Sequence, residues 1–124
     1  MKKLYFITGS QDLYGEDTLR VAYEDSLRMA DHLNSKLGDL VSVECTPIVR
    51  NHEEAEATCR MAENDLSCVG VIMWMHTFSP AKMWIKALEC LKKPIAHLHT
   101  QANEKLPYDK IDMDFMNLNQ SAHG

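Results

Sequence analysis

With 124 residues, 45% of them hydrophobic and 25% charged, the chain has the make-up of about one ordinary globular domain and is long enough to bury a core. The formal charge is -5 and the pI near 5.6, and lysines and arginines never run more than two together, so the footprint of a nucleic-acid partner is missing. The run Leu4 to Thr8 behind Met1-Lys2-Lys3 is too short for a secretion signal or a membrane span, which makes the cytoplasm the expected location, with no membrane partner.

Leu4 to Thr8, apolar or β-branched and closed by Gly9, reads as a first strand buried on both faces. From Thr18 onward, Leu19, Ala22, Ser26, Met29, Leu33 and Leu37 recur at three- and four-residue spacing, the stripe of an amphipathic helix ended by Gly38. Val41 to Ile48 is the expected second strand. Asn51 is placed to cap a second helix, whose first turn carries Glu53 and Glu54 at the positive end of the helix dipole. These two glutamates read as a solvated helix start in preference to an acid/base pair.

Cys68 to Met75 is the most hydrophobic segment and is expected to be a central third strand. Ser79 as N-cap and Pro80 at the first helical position open a third helix through Met83, Trp84, Ala87, Leu88 and Leu91, and Lys92-Lys93-Pro94 stops it. Ile95 to Leu98 makes a fourth strand, and a fourth helix is expected over 112–122. Cys45, Cys59, Cys68 and Cys90 show no C-x-x-C spacing, fall within these elements and read as reduced structural thiols. Strand-helix alternation without a linker or short repeat predicts an α/β fold. Its three layers would be a flavodoxin-like or Rossmann-like parallel sheet with helices on both faces, here about four β-α units long.

In such a sheet, ligands bind beyond the carboxyl ends of the strands. Three polar segments follow strands here: Gly9 to Gly15, His76 to Ser79, and His99-Thr100-Gln101. The first is neither G-x-G-x-x-G nor a phosphate-binding P-loop. Ser10, Gln11 and Asp12 beside Leu13 and Tyr14 suit a small polyol, whose hydroxyls want amide and carboxylate partners and whose carbon faces want apolar walls; a turn capping the next helix explains this loop equally well. His32 and His52 fall on helix exteriors. His97, inside the fourth strand, is expected to be a packed core histidine, whereas His76 and His99, at strand ends, fit ligand-facing and structural roles alike. No histidine pair has helical zinc spacing, and His97-x-His99 has no carboxylate or cysteine nearby to complete a metal site. In the last segment Asp112 and Asp114 read as helix-start residues, while Gln120 and His123, three apart, can share one helix face.

Phe6 to Gly15, Trp74 to Trp84, His99-Thr100-Gln101 and Ile111 to Gly124 resemble the N-terminal segment of bacterial L-arabinose isomerases, in the same order and over essentially the whole chain. The resemblance implies a cytoplasmic enzyme that interconverts L-arabinose and L-ribulose through an ene-diol with Mn²⁺, as a homo-hexamer with active sites between subunits. Residues 1–124 would be the N-terminal domain of a much longer polypeptide. It places Gln11, Leu13, Phe78, Gln120 and His123 at the sugar pocket, with Gln11, Gln120 and His123 bonding hydroxyls and Leu13 and Phe78 shaping the apolar wall. Tyr14 is a further candidate, with packing as its other role. The metal ligands and the acid/base glutamates would lie in later parts of the family's chain, so no catalytic or metal-binding residue is assigned here. The expectation is a fragment that is inactive by itself and carries an uncovered sheet edge or apolar face. The alternative is a free-standing flavodoxin-like domain that binds small molecules or a partner without catalysis.

Overall fold

A computed structural model of the chain describes residues 1–10, 15–76 and 81–98. Within them the order is β1 (Lys3–Gly9), α1 (Glu16–Leu37), β2 (Ser42–Cys45), α2 (His52–Asn64), β3 (Cys68–Met75), a 3₁₀ turn (Ala81–Trp84), α3 (Ile85–Glu89) and β4 (Ile95–Leu98). The strands form one sheet in the order β2-β1-β3-β4, and every pairing is parallel. The expected α/β architecture is therefore present, with β1 and β3 in its interior.

Alternation along the two interior strands sorts the core into two layers. Tyr5, Ile7, Val71, Met73 and Met75 pack against Ala55, Cys59 and Ala62 of α2 and against Trp84, Ala87 and Leu91. On the opposite face Phe6 and Trp74 meet Ala30, with Leu4, Met29, Leu33, Leu37 and Ile72 around them. Helix α1 thus covers one face of the sheet while α2 and α3 cover the other, as right-handed crossovers require.

The helix ends follow their local chemistry. Gly38 closes α1 with a positive φ of 59°, a backbone conformation that suits a residue without Cβ, and its N–H donates to the Asn34 carbonyl. Asn51 caps α2 through its Oδ1, which accepts from the Glu54 amide at 2.9 Å. Glu54 turns to Arg50, which brings its carboxylate below the ordinary range, and Glu53 is exposed, so this helix start is the solvated one expected.

Three expectations are corrected. β2 spans Ser42–Cys45 and not Val41 to Ile48, because Pro47 has no N–H for the ladder; the chain returns to the sheet only at Val49, which bridges Gly9. The third helix is shorter than its apolar spacing implied: it begins as a 3₁₀ turn, and Cys90 and Leu91 close it with three-residue hydrogen bonds that still aim Trp84, Ala87 and Leu91 inward. His97 is exposed and not a core residue, since β4 pairs with β3 alone among the described residues and all but its last residue lie open. His32 and His52 are exposed on helices, and the expected Ser79 cap, Pro80 and the 112–122 helix lie outside the described residues.

Candidate functional site

Parallel pairing brings the carboxyl ends of the strands to one rim. Gly9 is in register with Met75 and Trp74 with Leu98, and the His76 amide donates to the Gly9 carbonyl at 3.1 Å. The strand ends that precede the three polar segments singled out from the sequence therefore share this rim. Of the residues expected at the sugar pocket, Gln11, Leu13, Tyr14, Phe78, Gln120 and His123 all lie outside the described residues, as do His99 and Asp112. What the structure describes is the strand ends at Gly9, Met75 and Leu98.

On the face covered by α1, the side chains of β1 and β3 change character together toward the rim. Leu4 and Phe6 give way to Thr8, and Ile72 and Trp74 give way to His76. Both polar residues are buried, with 1% and 3% of their surface exposed. Thr8 Oγ1 lies 2.6 Å from Ser26 Oγ; the Ser26 hydroxyl donates to the Ala22 carbonyl at 2.7 Å, so it accepts from Thr8. His76 Nε2 lies 2.8 Å from Oδ2 of Asp25, itself 6% exposed, while the other carboxylate oxygen pairs with the exposed Arg28 one turn on. An ionised carboxylate only accepts, so Nε2 carries the hydrogen and the imidazole's tautomer and orientation are fixed at that nitrogen. The ring of Trp74 meets the imidazole edge-on, with centroids 4.7 Å apart.

The role left open for His76 is resolved to this extent: it is a buried residue bonded to Asp25. Asp25 had not been singled out, although it falls three residues after Ala22 and four before Met29, on the apolar stripe itself. An ionisable residue at a stripe position was the available signal, since burial of a charge demands a partner.

The other face of the rim is packed. Gly9 has no side chain because the space is taken: a Cβ there would stand 2.8 Å from Met75 Sδ and 3.1 Å from Trp84 Nε1. Trp84 is a core residue with Met83 against it, and its indole N–H has no acceptor among the described residues. A cleft of about 600 Å³ opens between α1 and the β3-β4 end of the sheet, walled by Met29, Leu33, Ile72 and Leu98, with Asp25, Arg28, His32 and His97 as its polar lining.

Hydrogen-bond chemistry beside apolar walls is what this rim offers. Among the described residues no three His, Cys, Asp or Glu side chains come together to hold a metal ion. All four cysteines are free thiols, and burial pushes Cys45 and Cys59 up to about 11, so neither supplies a thiolate nucleophile near neutral pH. No helix among the described residues is long and apolar enough to cross a membrane.

Comparison with known proteins agrees with this picture. Residues 1–124 match the family described as L-arabinose isomerase N-terminal domain. The chain is 53% identical over 123 residues to an L-arabinose isomerase of Vibrio parahaemolyticus, covering 99% of this chain and 25% of that protein. It is 50% identical over 123 residues to those of Flavobacterium johnsoniae and Mycolicibacterium smegmatis, again with 99% of this chain covered. The chain thus spans about a quarter of the length of these relatives. A parallel sheet of the expected kind, a polar rim at its carboxyl ends and a match along its whole length lead to one assignment: the chain belongs to the L-arabinose isomerase N-terminal domain family.

Proposed function

We propose that this chain is the sugar-facing N-terminal domain of a longer cytoplasmic enzyme that interconverts L-arabinose and L-ribulose. The observation that carries the reading is 53% identity to an L-arabinose isomerase, sustained over 123 of the 124 residues. The placement of the strand ends supports it, because Gly9-Ser10 and Met75-His76 deliver the first two loops to one rim.

In this reading Gln11, Gln120 and His123 bond the sugar hydroxyls, Leu13 and Phe78 form the apolar wall, and Tyr14 adds to either. Hydroxyl partners hold the chain of carbons in register, and the wall excludes water from the face being handled. The isomerisation moves one proton between the first two carbons through an ene-diol, and the carboxylates that carry it belong to the remainder of the longer chain. Mn²⁺ is the metal proposed for the whole enzyme. The described residues do not fit it, since they bring no three ligating side chains together, so no step is assigned to it here. A homo-hexamer would let this rim complete a pocket built mainly by a neighbouring subunit, and the domain alone would be inactive.

The test is made in the full-length enzyme. Gln11→Ala and His123→Ala are expected to raise KM for L-arabinose or lower turnover by about tenfold or more, as loss of a hydroxyl partner does, while Mn²⁺ affinity measured by calorimetry stays nearly the same. Unchanged kinetics in both variants would remove these residues from the pocket.

A further inference from the structure

We propose that Asp25 and His76 form a positioning pair for sugar binding, an inference that rests on the function proposed above and adds two residues to it. The two belong to elements that border different loops. Residues 11–14 separate Ser10 at the end of β1 from Gly15 at the start of α1, and Asp25 lies on that helix; His76 directly follows β3 and precedes Thr77 in the chain. The 2.8 Å bond from His76 Nε2 to Asp25 Oδ2 therefore ties the helix behind the first loop to the strand before the second. The His76 amide, bonded to the Gly9 carbonyl, joins the end of β3 to β1, and the Thr8-Ser26 hydroxyl contact joins β1 to α1, so the three elements are linked pairwise at this rim.

A purely structural staple is the weaker account of this arrangement. Burying a carboxylate and an imidazole costs desolvation that apolar side chains of similar size would avoid, and a buried ionic pair is poor evidence of a gain in stability. The layer beneath is apolar: Phe6 and Trp74 meet edge-on, and Ala30 and Ile72 pack around them. Only at the rim does the layer turn polar, on both strands at once and where the loops depart. What the pair supplies is direction. It holds the imidazole at one angle against Trp74 and so fixes the spacing between the two loop roots; a pocket wall misplaced by a fraction of an ångström loses sugar affinity. Both residues are buried in this chain, so neither is a catalytic residue. Their effect reaches the sugar through the backbone they fix.

The experiment uses the full-length enzyme with Asp25→Ala, Asp25→Asn, His76→Asn and the double variant Asp25→Ala/His76→Asn, measuring KM and kcat for L-arabinose beside the thermal midpoint. Asp25→Ala and His76→Asn are each expected to raise KM about tenfold with kcat within about twofold, because the groups that move the proton are untouched. The double variant should be no worse than either single, the mark of two residues acting as one unit. Asp25→Asn, whose amide oxygen still accepts from Nε2–H, should restore KM to within about threefold of the parent. A lowered thermal midpoint with KM unchanged would make the pair a staple and overturn the proposal. So would a fall in kcat alone, or a double variant whose effect is the product of the singles. If Asp25→Ala does not fold, His76→Asn against Asp25→Asn reads the same split, and an unchanged KM in His76→Asn decides against the pair. A parent enzyme without turnover of L-arabinose would instead fell the sugar reading, and this inference with it; an active parent beside silent variants fells the inference alone.

Discussion

The absence of a side chain at Gly9 is a packing requirement. Met75 Sδ and Trp84 Nε1 occupy the place where a Cβ would stand, on the side of the sheet covered by α2 and α3. Gly9→Ala is expected to cost about 1–3 kcal/mol, because the Met75 thioether can move aside but the buried indole cannot without shifting its neighbours. Urea unfolding would measure this, and a change within a few tenths of a kcal/mol would show that the site relaxes freely. Residues of this kind were partly legible. The stripe of α1 is visible in Ala22, Ser26 and Met29, which the structure turns toward the sheet. Asp25 does not stand out in the sequence because carboxylates are nearly always at the surface, a rule that fails where a histidine from a distant strand comes within hydrogen-bond reach. His97 was misjudged for the opposite reason: its strand reads as buried, but a strand's own residues do not say whether it lies at the sheet's edge.

At the scale of elements, the amino ends of the strands are joined as deliberately as the carboxyl ends. Asp65, just beyond α2, accepts from the Tyr5 hydroxyl and from the Ser67 amide and hydroxyl, and Lys3 pairs with the same carboxylate. These donors hold its carboxyl well below the usual carboxylate range, the Tyr5 hydroxyl contributing most. A carboxylate favoured in the folded state stabilises the fold above the unfolded value, near 3.9, and loses that contribution as pH falls through the folded one. Acid unfolding of the protein should therefore steepen below about pH 4, and Asp65→Asn should flatten that limb while sparing stability near neutrality more than Asp65→Ala. An unaltered acid limb in Asp65→Asn would assign it to other carboxylates. The element bounds of β3 and β4 were readable to the residue, because an apolar run ends sharply at His76 and begins sharply after Pro94. β2 was not, since Val41 to Cys45 alternates apolar and polar residues as a strand does and Ile48 looks like its continuation, while Pro47 between them has no N–H for the ladder.

For the whole molecule, the parallel pairing of the strands follows from their alternation with helices. Ile95 is 43% exposed on β4, the outermost strand among the described residues, and the cleft beside α1 has Met29, Leu33, Ile72 and Leu98 as its walls. A strand edge and an apolar wall side by side favour association of the 124-residue chain with itself. Sedimentation should show dimers or larger species growing with concentration, reduced by Ile95→Lys; a single monomeric species at high concentration would show that this side is already satisfied.

The position of β1 between β2 and β3 has a bearing on how the chain is made. Its first neighbour, Ser42–Cys45, is synthesised before the second, Cys68–Met75, so β1 waits with one side unpaired while all of α2 is produced. Phe6 likewise waits for Trp74, and Asp25 for His76. A nascent chain shorter than about 76 residues thus carries a buried-type carboxylate and an open strand with nothing to close against, the state most exposed to mispairing or capture by a chaperone. Emergence of β3 closes the second edge of β1 and brings Trp74 to Phe6, while the layer on the other face is complete only once Trp84, Ala87 and Leu91 have followed.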